Sequence, residues 1–598
     1  MKEEKTFASI EWKRFLDKKH WKLYAILLLT IALITTLVVW ICTQNKNDAP
    51  LRVDGKLVLQ RVSIQSGSSP AEENAAAELA KYLTQKGVMV AEKSNFAITL
   101  SIDPALGEDS FCVTATVGEE KAEGMTITGG NGRGILYGVY QFLENYADVR
   151  FFTPELEICT KGNVLVPDGV LLEVSPLFEM RHTDWYNWVT DDTKYEWAAK
   201  NGVNILNGWK RSWDESLGGS LTYAPNLFVH TLSRLIEPEV SGTITAVSPN
   251  PCLSDESIYN TILSNVRKVL EENPDTKILS ISQNDNQNYC RCEKCAATDA
   301  EEGSPAGTLL RFVNRIAANL EADYPDLTID TLAYQYTRKA PSITKPRENV
   351  CVRLCSIECH FNHPLTTESC SVCSAFREDI EAWSKICNNL YIWDYTTNYR
   401  HYLTTFPNFH VLRENMQFFA NHNVKGVYEQ GNGSSPSGEF GELRAYLIAK
   451  LLMNPYMSEE EYYTHMDEFL AAYYGSGWQN IRQYINTFID FAKNSPAGMG
   501  IYSSPLTVVS KDTLMSMEQT FADLWDAAEA QAGDRLEYVR RSRWQLRYLL
   551  LCIHPNENAA RDLIQDVETL GVAWREGNRH VSDSSDLSLP PDEWSFVK

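Results

Sequence analysis

The chain has 598 residues, 44% of them hydrophobic and 22% charged, which is the composition of a globular protein with several domains. Disordered, collagen-like and small disulfide-rich proteins are thereby excluded. Asp and Glu number 78 against 55 Lys and Arg, giving a net charge of −23, and no basic patch follows the first 25 residues. We therefore expect no nucleic-acid partner. Fifteen Trp and 28 Tyr supply flat rings of the kind that stack on sugars, although most should lie in the core.

The N-terminus has the pattern of a membrane anchor. Residues 23–42 are 20 residues without a charge, long enough to cross the ~30 Å hydrocarbon core of a bilayer as a helix. Several Lys and Arg residues of segment 1–22 precede this run, so the positive-inside rule keeps that segment in the cytoplasm. We expect a single-pass protein of the cell membrane whose partner is the lipid bilayer and whose residues 50–598 are extracytoplasmic. A cleaved signal peptide, a lipoprotein attached at Cys42 and a buried core helix are the alternatives.

Residues 50–170 have the pattern of a small α/β domain. Strand-like runs alternate there with helical segments at 71–86 and 135–146. The glycine-rich turn GGNGRG (129–134) between a strand and a helix suggests a dinucleotide site, but the G-x-G-x-x-G spacing fails at Ile135. We interpret these glycines as a tight strand-to-helix turn.

Residues 175–455 alternate strand-like runs with helical segments, which is typical of a (β/α)8 TIM-type barrel. Residues 225–255 resist assignment, so the third strand is not located. Residues 456–598 have helical spacing and no strand pattern. The predicted fold class is therefore α/β: a TIM-type barrel preceded by a small α/β domain and followed by a helical C-terminal region, with an N-terminal transmembrane helix. The predicted barrel strands are 178–182, 203–206, 278–282, 328–333, 350–356, 390–393 and 424–428.

Four carboxylates stand at the ends of predicted barrel strands, where the catalytic groups of such barrels are found. A pair of carboxyl groups can cleave a glycosidic bond, one protonating the leaving oxygen while the other attacks or activates water. Capping of loops and pairing with Arg are the competing interpretations. The four candidate catalytic residues are Asp285, Glu358, Asp394 and Glu429. Side chains beside them are candidate substrate ligands: Asn284, His360, His363, Trp393 and Tyr395.

Two further candidates lie near the end of the first predicted barrel strand. Trp185 could stack its ring on the C–H face of a sugar, with burial in the core as the alternative. Arg181 could bind an anionic or hydroxyl-rich substrate, with a structural salt bridge as the alternative. We count both as candidate substrate-binding residues and expect an oligosaccharide or glycan as the partner.

The 14 cysteines are unevenly spread along the chain. Cys290, Cys292 and Cys295 form C-x-C-x2-C, and Cys370 and Cys373 form C-x2-C. Both segments follow predicted strands and could together make a structural Zn site. Export from the cytoplasm favours disulfides instead. No H-E-x-x-H motif indicates a catalytic metal, and we expect no other cofactor.

Several segments carry a resemblance to known families. The segment RGILYGVYQFLENY (133–146) resembles the end of the small α/β domain that precedes the barrel in β-hexosaminidases and α-glucuronidases. Four barrel segments are similar to a bacterial family, the domain-of-unknown-function 4838 group, which is related to the glycoside hydrolase family 67 α-glucuronidases. They are SISQNDNQNYCRCEKC (280–295), ECHFNHPL (358–365), WDYTTNYRHYLTTFPNF (393–409) and GVYEQG (426–431). The resemblance covers roughly residues 60–455.

This resemblance implies an exo-acting or debranching glycosidase. α-Glucuronidases invert the anomeric centre, and by this similarity Asp285 takes the position of the acid while Glu358 and Asp394 lie near the base positions. The chain departs from that pattern in having Asp rather than Glu as the acid and in lacking matching basic residues for a uronate. Two other functions fit the sequence: a non-catalytic carbohydrate-binding surface protein on a degenerate barrel, and a Zn-dependent hydrolase that uses the Cys/His-rich loops.

Overall fold

The computed structural model describes residues 51–576 together with Ile26, Leu29 and Thr30. Segment 1–22 and, apart from those three residues, the predicted transmembrane segment 23–42 lie outside the described part. No helix among the described residues is both long and apolar enough to cross a membrane. The gaps within the described range are 119–121, 190, 207, 209–212, 239–247 and 574.

The N-terminal part of the described chain is a mixed sheet with two long helices. The elements of this part in chain order are β1 (Arg52–Val53), β2 (Lys56–Val58), β3 (Arg61–Gln65), α1 (Pro70–Lys86), β4 (Met89–Val90), β5 (Ala97–Ile102), β6 (Phe111–Val117), β7 (Ala122–Gly129), α2 (Gly132–Tyr146), β8 (Arg150–Thr153), β9 (Leu156–Ile158), β10 (Leu165–Val166) and β11 (Gly169–Val174). The mixed sheet has six strands in the order β11-β6-β7-β5-β3-β4, in which β6 runs antiparallel to both neighbours and the other pairs are parallel.

The predicted glycine-rich turn is confirmed as the connection between β7 and α2. Asn131 caps α2, its side chain accepting a hydrogen bond of 2.8 Å from the Gly134 N–H. A Cβ atom at Gly130 would lie 1.7 Å from the carbonyl oxygen of Gly107, so glycine is required there by a close backbone approach. The turn therefore serves packing, as the failed dinucleotide spacing indicated.

A six-stranded parallel sheet forms the middle of the chain, with the order β12-β17-β16-β15-β14-β13. This confirms the α/β architecture as a half-barrel sheet. Two isolated parallel bridges extend its edges, His182 to Ile205 at one side and Tyr223 to Ile278 at the other. The sequence left the third strand unassigned, and its place is taken by the single bridge at Tyr223. The strands are β12 (Met180–Thr183), β13 (Ile278–Ser280), β14 (Thr328–Ala333), β15 (Val350–Cys355), β16 (Leu390–Tyr395) and β17 (Val424–Gln430).

Helices pack around this sheet, and further helices follow it as far as Thr569. Those interspersed with the strands are α3 (Thr193–Lys200), α4 (Leu232–Ile236), α5 (Glu256–Glu272), α6 (Glu293–Glu302), α7 (Ala306–Leu320), α8 (Ser371–Ser384), α9 (Phe409–Asn421) and α10 (Gly441–Met453). The predicted helical C-terminal region is confirmed as α11 (Glu459–Tyr474), α12 (Trp478–Asn494), α13 (Lys511–Gln531), α14 (Leu536–Ser542), α15 (Trp544–Ile553) and α16 (Glu557–Thr569).

Two main hydrophobic cores hold these layers together. One lies between the mixed sheet and its helices, and the other combines the half-barrel with α11, α12 and α13. At the contact between barrel and C-terminal helices, the ring of Phe440 stacks on Trp525, with centroids 6.5 Å apart. The C-terminal helices thus share a core with the barrel, and this places the described C-terminal region beside the sheet.

Candidate active site

A cavity of about 350 Å3 opens at the carboxyl end of the parallel sheet. Residues that follow β12 and β13 or belong to β16 and β17 line it, and the C-terminal region adds Ile501, Tyr502 and Glu576. Ligand sites of α/β sheets lie at this end because the loops after successive strands converge there. The lining residues are Asp184, Phe228, Val229, His230, Asp285, Leu332, Tyr334, Cys355, Ile357, Trp393, Tyr395, Tyr399, Tyr428, Gln430, Ile501, Tyr502 and Glu576.

Asp285 is the predicted catalytic carboxylate that the structure places on the cavity wall. Its side chain is 43% exposed, and its Oδ1 accepts a hydrogen bond of 3.0 Å from the hydroxyl of Tyr334. The Nε2 atom of His230 lies 4.0 Å from the same oxygen. Asp285 is therefore an accessible acceptor whose orientation is fixed by a phenol donor.

Asp184, which follows β12, is a second carboxylate on this wall. Its Oδ1 accepts a hydrogen bond of 2.6 Å from the Gly431 N–H, and the hydroxyl of Tyr428 also bonds to it. Loss of solvation raises the pKa of Asp184 to about 7, against the opposing effect of these two hydrogen bonds. Near neutral pH this group therefore holds a proton in a large fraction of molecules.

Glu576 supplies a third carboxylate from the far end of the chain. Its Oε1 accepts a hydrogen bond of 3.2 Å from Gln430. Burial raises the pKa of Glu576, and the negative charge of Asp285 adds to the increase. Glu576 in turn contributes to the raised pKa of Asp184. The three carboxyl groups thus interact across one cavity, which is how a site keeps one carboxyl group protonated beside an ionised one.

Aromatic rings form the rest of the wall. The candidates Trp393 and Tyr395 both line the cavity with near-parallel rings, 6.2 Å apart between centroids, and the Trp393 Nε1 donates to Gln430 at 2.8 Å. Beneath them, the buried guanidinium of Arg353 lies 5.1 Å from the Trp393 ring and forms an ion pair of 2.9 Å with Asp330. Among the described residues that line the cavity there is no Lys and no Arg.

Asp394 and Glu429 lie behind the cavity wall. Side chains alternate along a strand, and because Trp393 and Tyr395 face the cavity, Asp394 between them faces the other side of the sheet. It is paired in register with Glu429 and accepts a hydrogen bond from Ser356. Burial raises the pKa of Asp394 to about 6, while burial and the Asp394 charge raise that of Glu429 further above its ordinary value. The structure does not bring this pair to the cavity.

Glu358 is also outside the cavity. Its side chain is 42% exposed and pairs with Arg338 at 3.3 Å in a separate surface depression beside Lys339. Arg338 bonds in addition to Asp379 at 2.7 Å. Pairing with Arg, the alternative interpretation, is what the structure shows for Glu358.

Arg181, Trp185 and Asn284 have structural partners. Arg181 is fully buried and forms an ion pair of 2.6 Å with Asp109, so it joins the barrel to the mixed sheet and the salt-bridge alternative is the observed one. Trp185 is buried and its Nε1 donates to Thr396 at 3.2 Å. Asn284 is buried too, and its side chain bonds to neighbouring loops, beginning with Ser233 at 2.7 Å. These three residues support the wall without lining it.

The remaining candidates form two separate groups of possible metal ligands. His360, His363 and Cys370 lie together, with His360 Nδ1 3.2 Å from the Cys370 sulfur. Cys373 lies nearby and donates to the His360 carbonyl at 3.6 Å.

The C-x-C-x2-C motif belongs to the second group. The structure does not bring Cys370 and Cys373 to this motif, and a different cysteine completes the cluster: Cys252, Cys290, Cys292 and Cys295.

Two cavity carboxylates were missed by the sequence analysis. Asp184 follows β12 directly, so the strand-end rule that selected Asp285 could have found it. Glu576 follows α16, the last helix of the described residues, and no local pattern marks it.

Comparisons with known proteins give the following similarities. No curated protein matches the chain. A family 138 glycoside hydrolase that targets pectin rhamnogalacturonan II is 11% identical, with 85% of this chain and 72% of that chain covered and a TM-score of 0.40. A family 20 exo-β-N-acetylglucosaminidase from Vibrio harveyi is 9% identical over 71% and 76% of the two chains, with a TM-score of 0.38. A family 89 glycoside hydrolase from Clostridium perfringens is 12% identical over 84% and 65%, with a TM-score of 0.41.

The sequence itself gives a direct family match. The family model described as domain of unknown function (DUF4838) matches residues 151–486, which is more than half of the chain and includes the whole parallel sheet. The barrel segments that carry the resemblance lie within this range. The chain therefore belongs to the DUF4838 family.

Proposed function

We propose that the protein is a glycoside hydrolase that removes a terminal sugar, with Asp285 and Asp184 as its catalytic pair. The observation that carries this proposal is the convergence of three interacting carboxyl groups and several aromatic rings on one cavity. Rings stack on the C–H faces of sugars, and paired carboxyl groups in unlike protonation states cleave glycosidic bonds. The cavity of about 350 Å3 is at the small end of the ~300–1,000 Å3 range of ligand pockets, which favours one sugar unit.

In the proposed reaction, protonated Asp184 gives its proton to the glycosidic oxygen as the bond from that oxygen to C1 breaks. Asp285, held by Tyr334, takes a proton from the water whose oxygen adds to C1, so it acts as the base and not as the acid whose position the resemblance gives it. The resemblance to inverting α-glucuronidases favours this direct attack by water. Glu576, which interacts with both groups, adds negative charge beside the oxocarbenium-like transition state.

The lining favours a neutral or cationic sugar over a uronate. Three carboxyl groups face the cavity, and the described lining contains neither Lys nor Arg to pair with a uronate carboxylate. Arg353 lies under the aromatic floor and is already paired with Asp330. We therefore propose neutral hexosides or amino sugars as substrates, a departure from the α-glucuronidase activity that the distant resemblance implies.

Two structural expectations accompany this proposal. We propose that the segments at Ile205 and Tyr223 close the sheet into an eight-stranded (β/α)8 barrel, supported by a hydrogen bond of 3.2 Å from the Leu221 N–H to the Asn204 carbonyl between them. We also propose that residues 23–42 anchor the chain in the cell membrane with the cavity outside the cytoplasm. Extraction of the full chain by detergent but not by carbonate would support the anchor.

Turnover by the purified full chain on aryl glycosides of neutral sugars, amino sugars and uronic acids tests the function. Asp285→Asn should lower kcat by about 10²–10⁴-fold, while the matched control Glu358→Gln should keep wild-type turnover because that side chain lies outside the cavity. Full activity in folded Asp285→Asn protein would refute the assignment. Absence of turnover on every glycoside, with binding still measurable by calorimetry, would point to the non-catalytic carbohydrate-binding protein instead.

A further inference from the structure

Four cysteine sulfurs cluster beside the loop that follows β13, and none of them lines the cavity. The Sγ atoms of this four-cysteine cluster all lie within 4.8 Å of one another, and two of the separations are 3.7 and 3.9 Å. A tetrahedral Zn²⁺ ion with Zn–S bonds of ~2.3 Å places its sulfur ligands ~3.8 Å apart. These separations are therefore close to the distances between the corners of a zinc–sulfur tetrahedron. The cluster consists of Cys252, Cys290, Cys292 and Cys295.

The surroundings of the cluster are those of a closed structural site. Cys292 is the N-cap of α6 and Cys295 lies in its first turn, so two ligands are fixed by the start of one helix. The hydroxyl of Ser254 is 3.1 Å from the buried sulfur of Cys295, a position from which it can donate to a thiolate. A structural zinc ion is typically bound by four protein ligands, whereas a catalytic zinc ion keeps one coordination position open for water or substrate. Four cysteines would fill all four positions.

We propose that the four-cysteine cluster binds one structural Zn²⁺ ion, which holds the loop that carries Asp285. A disulfide would draw two sulfurs together to ~2.05 Å and leave the other two apart, whereas one ion accounts for all four at once. The other group, of His360, His363 and Cys370, offers three ligands among the described residues, and His363 bonds through Nε2 to the Ser495 carbonyl at 3.0 Å.

The ion would connect two segments that frame the Asp285 loop. Two residues before Cys252, the side chain of Asn250 accepts a hydrogen bond of 2.7 Å from the Asn284 N–H. The Asn250 N–H donates to the Asn288 carbonyl at 2.8 Å. The zinc would thus join the segment that ends at Cys252 to the loop directly after Asp285, making the cysteines positioning residues. This positioning role rests on the proposed function, whereas metal binding itself does not.

The metal content of the purified full chain tests the proposal. We expect one Zn per chain by mass spectrometry of the metal, lost in Cys252→Ser and kept in the control Cys370→Ser. Cobalt added in place of zinc should give a thiolate-to-cobalt charge-transfer band in the wild type. If the wild type contains no stoichiometric metal, the proposal fails. It fails whether the mass of the denatured protein shows that the four cysteines are free thiols or shows the loss of two hydrogens for each disulfide. The wild-type measurements stand even if a variant does not fold.

Activity separates the two proposals. Cys252→Ser should lower kcat about 10²-fold through misplacement of Asp285, and Cys252→His, which restores a zinc ligand, should recover both metal and turnover. Zinc without any glycosidase activity would leave the metal site standing and refute the proposed function. Metal loss with unchanged kcat would overturn the positioning role.

Discussion

Asp184→Asn should make the protein inactive and, at alkaline pH, more stable. The pKa of Asp184 rises from an ordinary value of 3.8 to about 7 in the folded protein, chiefly because the carboxyl group loses solvation. Below pH 3.8 the group is protonated in both the folded and the unfolded state. Between these two values the folded state retains the proton that the unfolded state releases. Stability is therefore lost as the pH rises toward 7, and the loss is complete above it.

The magnitude follows from the size of the shift. Each pKa unit corresponds to ~1.36 kcal/mol, so a shift of about three units removes at most ~4 kcal/mol between acid and alkaline pH. Asparagine has nearly the same shape, can still accept from the Gly431 N–H, and carries no charge to desolvate. The free energy of unfolding of the variant should therefore rise relative to wild type between pH 4.5 and pH 8.

Urea unfolding of both proteins at these two pH values measures the difference. Asp191→Asn, later in the same loop, is the matched control. Hydrogen bonds from Thr193 lower the pKa of Asp191 below its ordinary value of 3.8, so the stabilisation that they give is already present at pH 4.5 and is lost only at more acidic pH. The stability gap of this variant should therefore change little between pH 4.5 and pH 8. A stability gap for Asp184→Asn that stays constant with pH would refute the desolvation of Asp184. In wild type, kcat/KM should fall above pH ~7 as Asp184 loses its proton.

Three further substitutions test other parts of the site and its support. Tyr334→Phe should lower kcat about 10-fold, less than Asp285→Asn, because it removes one hydrogen bond of ~1.5 kcal/mol to a carboxylate; an unchanged kcat would contradict the orienting role. Trp393→Ala should raise KM on every accepted glycoside, measured by initial rates, because a stacking ring worth ~1–1.5 kcal/mol is lost. Arg181→Met should lower the melting temperature, and the free energy of unfolding by ~1.5–3 kcal/mol, since the buried Asp109 keeps its ion pair with Arg133 but loses the one with Arg181. A stable variant with weakened substrate binding would restore Arg181 as a substrate ligand.

The strand-end rule predicted part of the site, and the two-residue period of a strand explains what it missed. Trp393 and Tyr395 were selected together with Asp394, but three consecutive residues cannot all face one side of a sheet. Glu429 stands between Tyr428 and Gln430 in the same way. If the aromatic residues of each strand are taken to face the cavity, the sequence alone shows that Asp394 and Glu429 face away from it.

Other parts of the site depend on long-range packing that local patterns do not encode. Glu576 meets Gln430 across 146 residues because the C-terminal helices share a core with the barrel. Cys252 lies in the stretch 225–255, for which no strand or helix is predicted, and only the folded loops bring it to Cys295. The parallel sheet and the helical C-terminal region were predictable from periodicity, while the domain boundaries remain predictions.

The contacts that hold the three cavity carboxyl groups in place matter for the proposed chemistry. Cleavage of a glycosidic bond develops positive charge on the sugar, and carboxylates stabilise such charge best when they are fixed before the reaction. Asp184 is fixed by Gly431 and Tyr428, and Asp285 by Tyr334. The C-terminal helices bring Glu576 to a position where its charge interacts with both Asp184 and Asp285. Because these groups come from separate parts of the chain, a cavity lined by three carboxyl groups can persist only where the surrounding fold holds it together. The shared core between the barrel and the C-terminal helices meets that requirement, which explains why a region that is helical in its described part contributes to the site.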